Sequence, residues 1–110
     1  MSIPVALDQL AAAVEEFGEL GFLMTVGEDG RARVNHVRFQ MADGALCAGV
    51  GQRTAAALAA RPLVSCLWPG PDAGGLSLIA DGEAQVRFEG DTALAVIVVS
   101  WAVRHRPPGL

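Results

Sequence analysis

Three arginines and one helix start are the parts of this chain whose residue types and spacing suit a chemical role. Arg33 and Arg38 lie on one strand-like segment, and Arg53 lies in Gly51-Gln52-Arg53-Thr54, where an alanine-rich helix begins. Guanidinium groups form charge-assisted hydrogen bonds with phosphate, and a helix N-terminus adds free N–H groups and partial positive charge. The pattern therefore predicts a site for a phosphorylated cofactor. The alternative is that these arginines are exposed charges paired with Asp or Glu.

Other kinds of site have less support in the residue pattern. His36 is an isolated histidine, which is more typical of a structural hydrogen-bonding residue than of an acid–base catalyst. Cys47 and Cys66 lack the spacing of metal ligands, so we expect two buried core thiols and no zinc site. No Gly-x-Ser-x-Gly turn is present, which argues against a hydrolase.

The composition predicts one domain, spanning residues 1–110, with some apolar surface left over. Hydrophobic residues make up 52% of the chain and charged residues 18%, so we expect part of the apolar surface to face a second subunit. The net charge of −4 gives no electrostatic reason to bind nucleic acid. No signal peptide is visible, and the longest apolar run is shorter than the roughly 20 residues of a spanning helix. A cytoplasmic protein with no membrane segment is therefore expected.

Hydrophobic periodicity predicts a mainly β protein with two short helices. An amphipathic helix is predicted from Leu7 to Phe17, and a second from Thr54 to Arg61, where the following proline ends it. Turn dipeptides separate six β-prone segments. The strands are predicted at residues 22–27, 31–41, 45–50, 63–68, 76–88 and 93–104.

The second strand contains a break in its alternation. Ala32 and Val34 are apolar at even positions, whereas Val37 and Phe39 are apolar at odd positions. Because side chains alternate with a period of two, this pattern predicts that the inward face changes near His36. A bulge, a bend or a passage between two sheet environments would produce such a change.

The last strand and the C-terminal residues leave alternatives open. Valine and isoleucine occupy both faces of that strand, so we expect one face to cover the core and the other to meet the first helix or a second subunit. Trp68 and Trp101 are expected in the core or an interface. The segment Arg104-His105-Arg106 is either a solvated tail or a basic arm that reaches a partner's site.

With these residues in view, the chain resembles the pyridoxamine 5′-phosphate oxidase-like family of flavin-binding split barrels. Three segments carry the resemblance. Residues 33–38, Arg-Val-Asn-His-Val-Arg, resemble the family's Arg-x-Val-Leu-Leu-Lys strand. Residues 51–55, Gly-Gln-Arg-Thr-Ala, resemble Gly-Ser-Arg-Lys-Ala, and residues 61–68, Arg-Pro-Leu-Val-Ser-Cys-Leu-Trp, resemble the strand Asn-Pro-x-Val-Ser-Leu-Leu-Phe.

The resemblance implies a six-stranded antiparallel split β-barrel that forms a homodimer with FMN at the subunit interface. It implies that the phosphate is held by Arg38, Gln52, Arg53 and Thr54. It implies that the isoalloxazine ring is bordered by Arg33, Val34, Asn35 and His36, with Ala48 and Ser77 nearby.

The chain departs from the family pattern at two binding positions. Thr54 replaces a lysine and Gln52 a serine, so one charged phosphate contact is missing and a different cofactor is conceivable. The sequence also lacks the C-terminal extension of true vitamin B6 oxidases, which makes B6 oxidation unexpected.

The resemblance thus predicts an FMN-binding oxidoreductase that acts on a small-molecule acceptor, with no catalytic side chain. The alternatives are an F420-dependent reductase whose groove is lined by Arg31, Arg104 and Arg106, a haem-binding protein, or a non-catalytic dimeric binding module.

Overall fold

Seven strands and two helices follow one another in a computed structural model that describes residues 2–72 and 75–109. The strands are β1 (Ser2–Pro4), β2 (Leu20–Val26), β3 (Ala32–Ala42), β4 (Ala45–Val50), β5 (Leu63–Trp68), β6 (Ser77–Glu89) and β7 (Thr92–His105). The helices are α1 (Leu10–Phe17), preceded by a 3₁₀ turn (Leu7–Gln9), and α2 (Gln52–Ala60). The six predicted strands are confirmed, with ends that differ by two residues or fewer. The short β1, which pairs with the end of β7, was not predicted.

The strands from β2 to β7 form a closed antiparallel barrel. Their order is β7-β4-β3-β2-β5-β6, and pairing between β6 and β7 closes the ring. Asp43 and Gly44 connect β3 to β4 as a two-residue turn, with φ values of 51° and 77°. Positive φ at both residues is the signature of the hairpin turn that matches strand twist, which explains the Asp-Gly pair at this position. The predicted mainly β barrel is therefore confirmed.

The barrel interior is filled by large side chains from every wall. Trp68 packs against Phe39 with ring centroids 4.7 Å apart, and both are fully buried. Cys66 is buried as predicted, whereas Cys47 is half-buried, and both are free thiols. Trp101 is 48% exposed and lies outside this core. In the parts of the chain that the structure describes, no helix is long and apolar enough to cross a membrane.

The predicted change of inward face in β3 is wrong. The strand keeps one continuous register with β2, in which Ala32 pairs with Val26 and Arg38 with Leu20. Val37 and Phe39, at odd positions, are buried, whereas Val34, at an even position, lies on the outer surface with 62% of its area exposed. An apolar residue on the outer face therefore gave the sequence the pattern of a change in the buried face. The neighbour of the strand does change, because residues from Phe39 onward pair with β4.

A real change of inward face occurs in β7. The register with β6 shifts between Asp81 and Gly82, which leaves Ser100 as one extra residue in β7. Odd-numbered residues such as Ile97 are buried before this bulge, and Ala102 is buried after it. A bulge that inserts one residue switches the parity of the buried face. This switch accounts in part for the apolar character that the sequence shows on both faces of the strand.

Candidate functional site

A cavity of about 740 Å³ lies between α2 and the first half of β3. The loop that joins β2 to β3 forms its third wall. Its lining residues are Thr25, Gly27, Glu28, Asp29, Arg33, Val34, Asn35, Arg53, Thr54, Ala56, Ala57, Ala60 and Arg61. Five predicted site residues, Arg33, Val34, Asn35, Arg53 and Thr54, are therefore brought together here. A cavity of this size is typical of sites for cofactors and other small molecules.

The helix α2 presents its N-terminus at this cavity because Gly51 leads the chain into it in an extended conformation. Gly51 has φ −77° and ψ 170°, and its carbonyl oxygen accepts the hydrogen bond from the N–H of Ala55 at 2.9 Å. No side chain caps the helix start. The first N–H groups thus keep their capacity to bind an anion. Leu58, buried in the core, anchors the helix against the barrel.

The arginines of the described residues fall into two groups, those that pair with a carboxylate and those that do not. Carboxylates pair with Arg31, Arg33, Arg38, Arg87 and Arg104. Arg106 is also engaged. Within residues 2–72 and 75–109, Arg53 and Arg61 have no carboxylate partner, and both line the cavity. Charges that the protein leaves unpaired at one cavity favour an anionic ligand there.

Arg33 shares the cavity with its own counter-charge. Its Nη2 donates to Asp29 Oδ2 at 3.0 Å, and the backbone N–H of Arg31 donates to Asp29 Oδ1 at 3.1 Å. The hydrogen bond from the Arg31 backbone, followed by that from Arg33, lowers the pKa of Asp29 below its ordinary value. The carboxylate therefore stays ionised, and an anion in the cavity competes with it for Arg33.

The other predicted site residues lie away from the cavity within one chain. Arg38 is an even-numbered residue of β3, so it points to the face opposite Arg33, and it pairs with Glu19. His36 stacks on Phe22 on that same outer face, with ring centroids 5.0 Å apart. Their roles in binding stay predictions.

Three more predicted contacts also lie outside the cavity lining. Ala48 is buried in β4 opposite Phe39. Ser77, at the start of β6, donates from Oγ to the carbonyl oxygen of His105 at 3.3 Å. Gln52 is exposed at the first position of α2. These positions likewise remain predictions rather than observed members of the site.

Arg61 is the cavity residue that sequence reasoning missed. The sequence predicts Arg61 as the end of α2 and as the first residue of the 61–68 segment, with no role in binding. Its Nε donates to the carbonyl oxygen of Val26 at 2.7 Å, which fastens the end of the helix to the end of β2. A signal was present in the sequence, because Arg61 follows Thr54 by seven residues, or two helical turns, and residues with that spacing share a helix face.

A second groove, of about 650 Å³, lies on the outer surface of β2, β5, β6 and β7. Leu63 and Val98, which line it, are 71% and 67% exposed. Asp81 also lines it, and its Oδ1 accepts a hydrogen bond from Ser65 Oγ at 2.6 Å. Thr25 lines both this groove and the cavity, so the two are adjacent. Among the residues that the structure describes, no cluster of His, Cys, Asp and Glu forms a metal site.

Two curated mycobacterial proteins are similar to this chain in sequence. They are the uncharacterized protein Mb0449c of Mycobacterium bovis and the uncharacterized protein MT0457 of Mycobacterium tuberculosis. Each is 36% identical over 115 residues, which cover 93% of this chain and 80% of the relative. No protein-family model matches the chain.

Solved structures with the same fold include a putative pyridoxamine 5′-phosphate oxidase from Listeria innocua, with TM-score 0.73 and 17% identity over 89% of this chain and 96% of the other. An F420 reductase aligns with TM-score 0.69 and 17% identity, over 82% of this chain and 93% of its own. A FAD-binding protein from Mycobacterium smegmatis aligns with TM-score 0.66 and 12% identity, over 94% and 97%. The chain therefore belongs to the family of the two mycobacterial relatives, and its fold is that of the pyridoxamine 5′-phosphate oxidase-like split barrels.

Proposed function

We propose that this protein is a cytoplasmic, homodimeric FMN-binding oxidoreductase that acts on a small-molecule acceptor. The observation that carries the proposal is the cavity beside α2, where two arginines without carboxylate partners among the described residues lie on one wall. The uncapped helix start adds N–H donors and partial positive charge on the same side. A phosphate group fits this combination.

The residues of the cavity would divide the work of holding FMN. Arg53 and the first N–H groups of α2 would bind the phosphate, and Thr54 would add a hydroxyl donor. The backbone of Val34 and Asn35 would border the ring, because the described residues supply no neighbouring strand on that edge of β3. When bound, FMN supplies hydride or single-electron transfer. The protein then needs only to position the ring and exclude water, and we assign no side chain as an acid or base.

FMN uptake provides the direct test of this site. Arg53→Ala is expected to weaken FMN binding by on the order of 1.5 to 3 kcal/mol, the range for hydrogen bonds to charged groups. This corresponds to a dissociation constant that rises roughly tenfold to 150-fold. The measurement is a fluorescence titration of apoprotein with FMN.

Arg87→Ala is the matched control for that titration. Arg87 is an exposed strand arginine that pairs with Glu89, and it does not line the cavity. FMN binding of this variant is expected to equal that of the wild type. Equal affinity in the Arg53 variant and the control would remove Arg53 from the site, and a wild-type protein that takes up no FMN would reject the proposal.

F420 is the second candidate cofactor, because the cavity extends along the whole of α2 as far as Arg61 and has room for a longer anionic side chain. The arginines first considered for this role are placed elsewhere, since Arg31 pairs with Asp29 and Arg104 with Glu16, and neither lines the cavity. Arg61 takes their place. A larger thermal shift with F420 than with FMN at equal saturation would favour this candidate.

Haem has the least support, because the described residues that line the cavity include no His, Cys or Met. A non-catalytic dimeric module remains the outcome to accept if FMN, F420 and haem all fail to bind.

The groove beside the cavity is the proposed subunit interface. Leu63 and Val98 expose large apolar surfaces there, and the groove adjoins the cavity through Thr25. A second copy of the chain would bury this surface, and it would place the cofactor cavity at the edge of the interface. Arg38 and His36, on the outer face of β3, would then approach the partner's site.

Leu63→Glu is expected to convert the proposed dimer to monomer. The new carboxylate would join Asp81 and Glu83, which already line the groove, and burial of another like charge costs several kcal/mol. Sedimentation velocity gives the mass of each variant. Phe88→Glu is the control, because Phe88 is 57% exposed but lies outside the groove. An unchanged dimer in the Leu63 variant would move the interface to another surface.

A further inference from the structure

The two cavity arginines that have no carboxylate partner among the described residues lie at opposite ends of α2. Arg53 is the second residue of α2, and Arg61 directly follows the last one. At about 1.5 Å of rise per residue, this separation places their Cα atoms about 12 Å apart along the helix axis. Two binding groups at this distance are better suited to two acceptors than to one.

Arg61 is fixed in its place by the hydrogen bond from its Nε to the carbonyl oxygen of Val26, at 2.7 Å. A guanidinium carries five N–H donors, so the four on its terminal nitrogens remain for other acceptors. No carboxylate of the described segments pairs with them. Arg61 would have to break its bond to β2 to reach the Arg53 end of the cavity. Arg61 is therefore held at the C-terminal end of α2, with its terminal N–H groups available to an acceptor there.

The wall between the two arginines is made of small side chains. Ala56, Ala57 and Ala60 line the cavity along α2, and Val34 and Asn35 of β3 also line it. We call the stretch of the cavity between Arg53 and Arg61 the slot; on its α2 side it carries methyl groups and no charge. Such a slot suits a flat or slender apolar body.

We propose that the cavity binds one elongated ligand at two points, a phosphate at Arg53 and a second anionic or carbonyl acceptor at Arg61. The ligand class is a molecule with a phosphate at one end, a flat or narrow middle, and a second acceptor at the other end. The inference rests on the proposed function only for the identity of the ligand.

The first experiment separates the two ends with FMN and with riboflavin, which lacks the phosphate. Arg53→Ala is expected to weaken the binding of FMN at least tenfold and to leave the affinity for riboflavin within twofold of the wild-type value. Arg61→Gln is expected to weaken both by the same factor, about fivefold to tenfold. If Arg61→Gln weakens the binding of FMN but not of riboflavin, both arginines bind the one phosphate and the proposal is overturned. Unchanged affinity for both ligands in this variant would also overturn it.

The second experiment does not depend on the flavin. An alkane bisphosphonate whose phosphonate groups are about 12 Å apart is compared with methylphosphonate by calorimetry. We expect the bisphosphonate to bind the wild type at least tenfold more tightly, and we expect either arginine variant to remove this advantage. Equal affinities in the wild type would overturn the two-point proposal even if FMN binds. If the wild type binds the bisphosphonate more tightly than methylphosphonate but does not bind FMN, FMN is rejected as the ligand and two-point binding is supported.

A third variant tests two-point binding without a change at Arg61, in case Arg61→Gln does not fold. Ala56 is exposed on α2 and lines the slot, so Ala56→Leu keeps a good helix former and narrows the space between the two points. This variant is expected to lose the bisphosphonate advantage and to keep methylphosphonate binding. A retained advantage would show that no ligand spans the slot.

Discussion

Gly82→Ala is expected to lower the free energy of unfolding by about 3 kcal/mol, near the top of the usual range for overpacking a filled interior. A Cβ atom at this position would lie 2.5 Å from the carbonyl oxygen of Val98 and 2.8 Å from Cγ2 of Ile97. The first of these atoms belongs to the backbone of β7, which is held by its pairing with β6. The strand cannot move aside without loss of barrel hydrogen bonds.

Gly49→Ala is the matched control for this prediction. Gly49 lies in β4, and a Cβ atom there would meet no atom within 4 Å. Replacement of a strand glycine by alanine in open space is expected to be neutral or to stabilise by about 0.5 kcal/mol, because the unfolded chain loses freedom. Urea unfolding gives the midpoint and slope for both variants. Equal midpoints for the Gly82 variant and the wild type would contradict the close packing at the bulge.

Alkaline pH is expected to destabilise the protein through one buried thiol. Burial, with a smaller contribution from the charge of Asp81, raises the pKa of Cys66 to about 12. An unfolded thiol titrates near pH 8.5, so above that value the unfolded chain loses a proton that the folded chain keeps. The stabilising contribution is complete below the unfolded pKa and is lost as pH rises toward 12. The expected loss is roughly 1 kcal/mol per pH unit, or about 2 kcal/mol between pH 9 and 11.

The composition makes this measurement unusually clean. The chain has no lysine and no tyrosine, whose side chains would otherwise change charge at alkaline pH. Urea unfolding from pH 7 to 11 is expected to show a falling stability for the wild type and for Cys47→Ala, and a flatter profile for Cys66→Ala. The slope is the diagnostic quantity, because the Cys66 variant also loses packing. A fall of equal steepness in that variant would rule out the thiol as the cause.

The strands could be predicted from the sequence because turn dipeptides and alternation are local signals. The dipeptide Asp43-Gly44 correctly predicted the turn between β3 and β4. The position of the bulge could not be predicted, since it depends on which apolar residues face solvent. Val34 has the pattern of a core residue that has changed phase, whereas 62% of its area is exposed and it lines the cavity.

The candidate site was predicted in part for the same kind of reason. Arg33 and Arg38 were grouped because they share a strand, yet residues of odd and even number lie on opposite faces. Arg53, which lines the cavity, could be proposed because a helix start after glycine is a recognisable local pattern. Arg61 was missed because its role depends on the docking of α2 against β2, which is a tertiary contact.

The half of β3 from Ala32 to Arg38 pairs only with β2 among the described strands, so its other edge offers free backbone groups. Such an edge is a template on which a foreign strand can assemble, and proteins protect these edges with charge. Arg33 and Arg38 flank the apolar Val34 here, one on each face. These two guanidinium groups therefore discourage fibrous association, and a variant that lacks both is expected to aggregate more readily than the wild type.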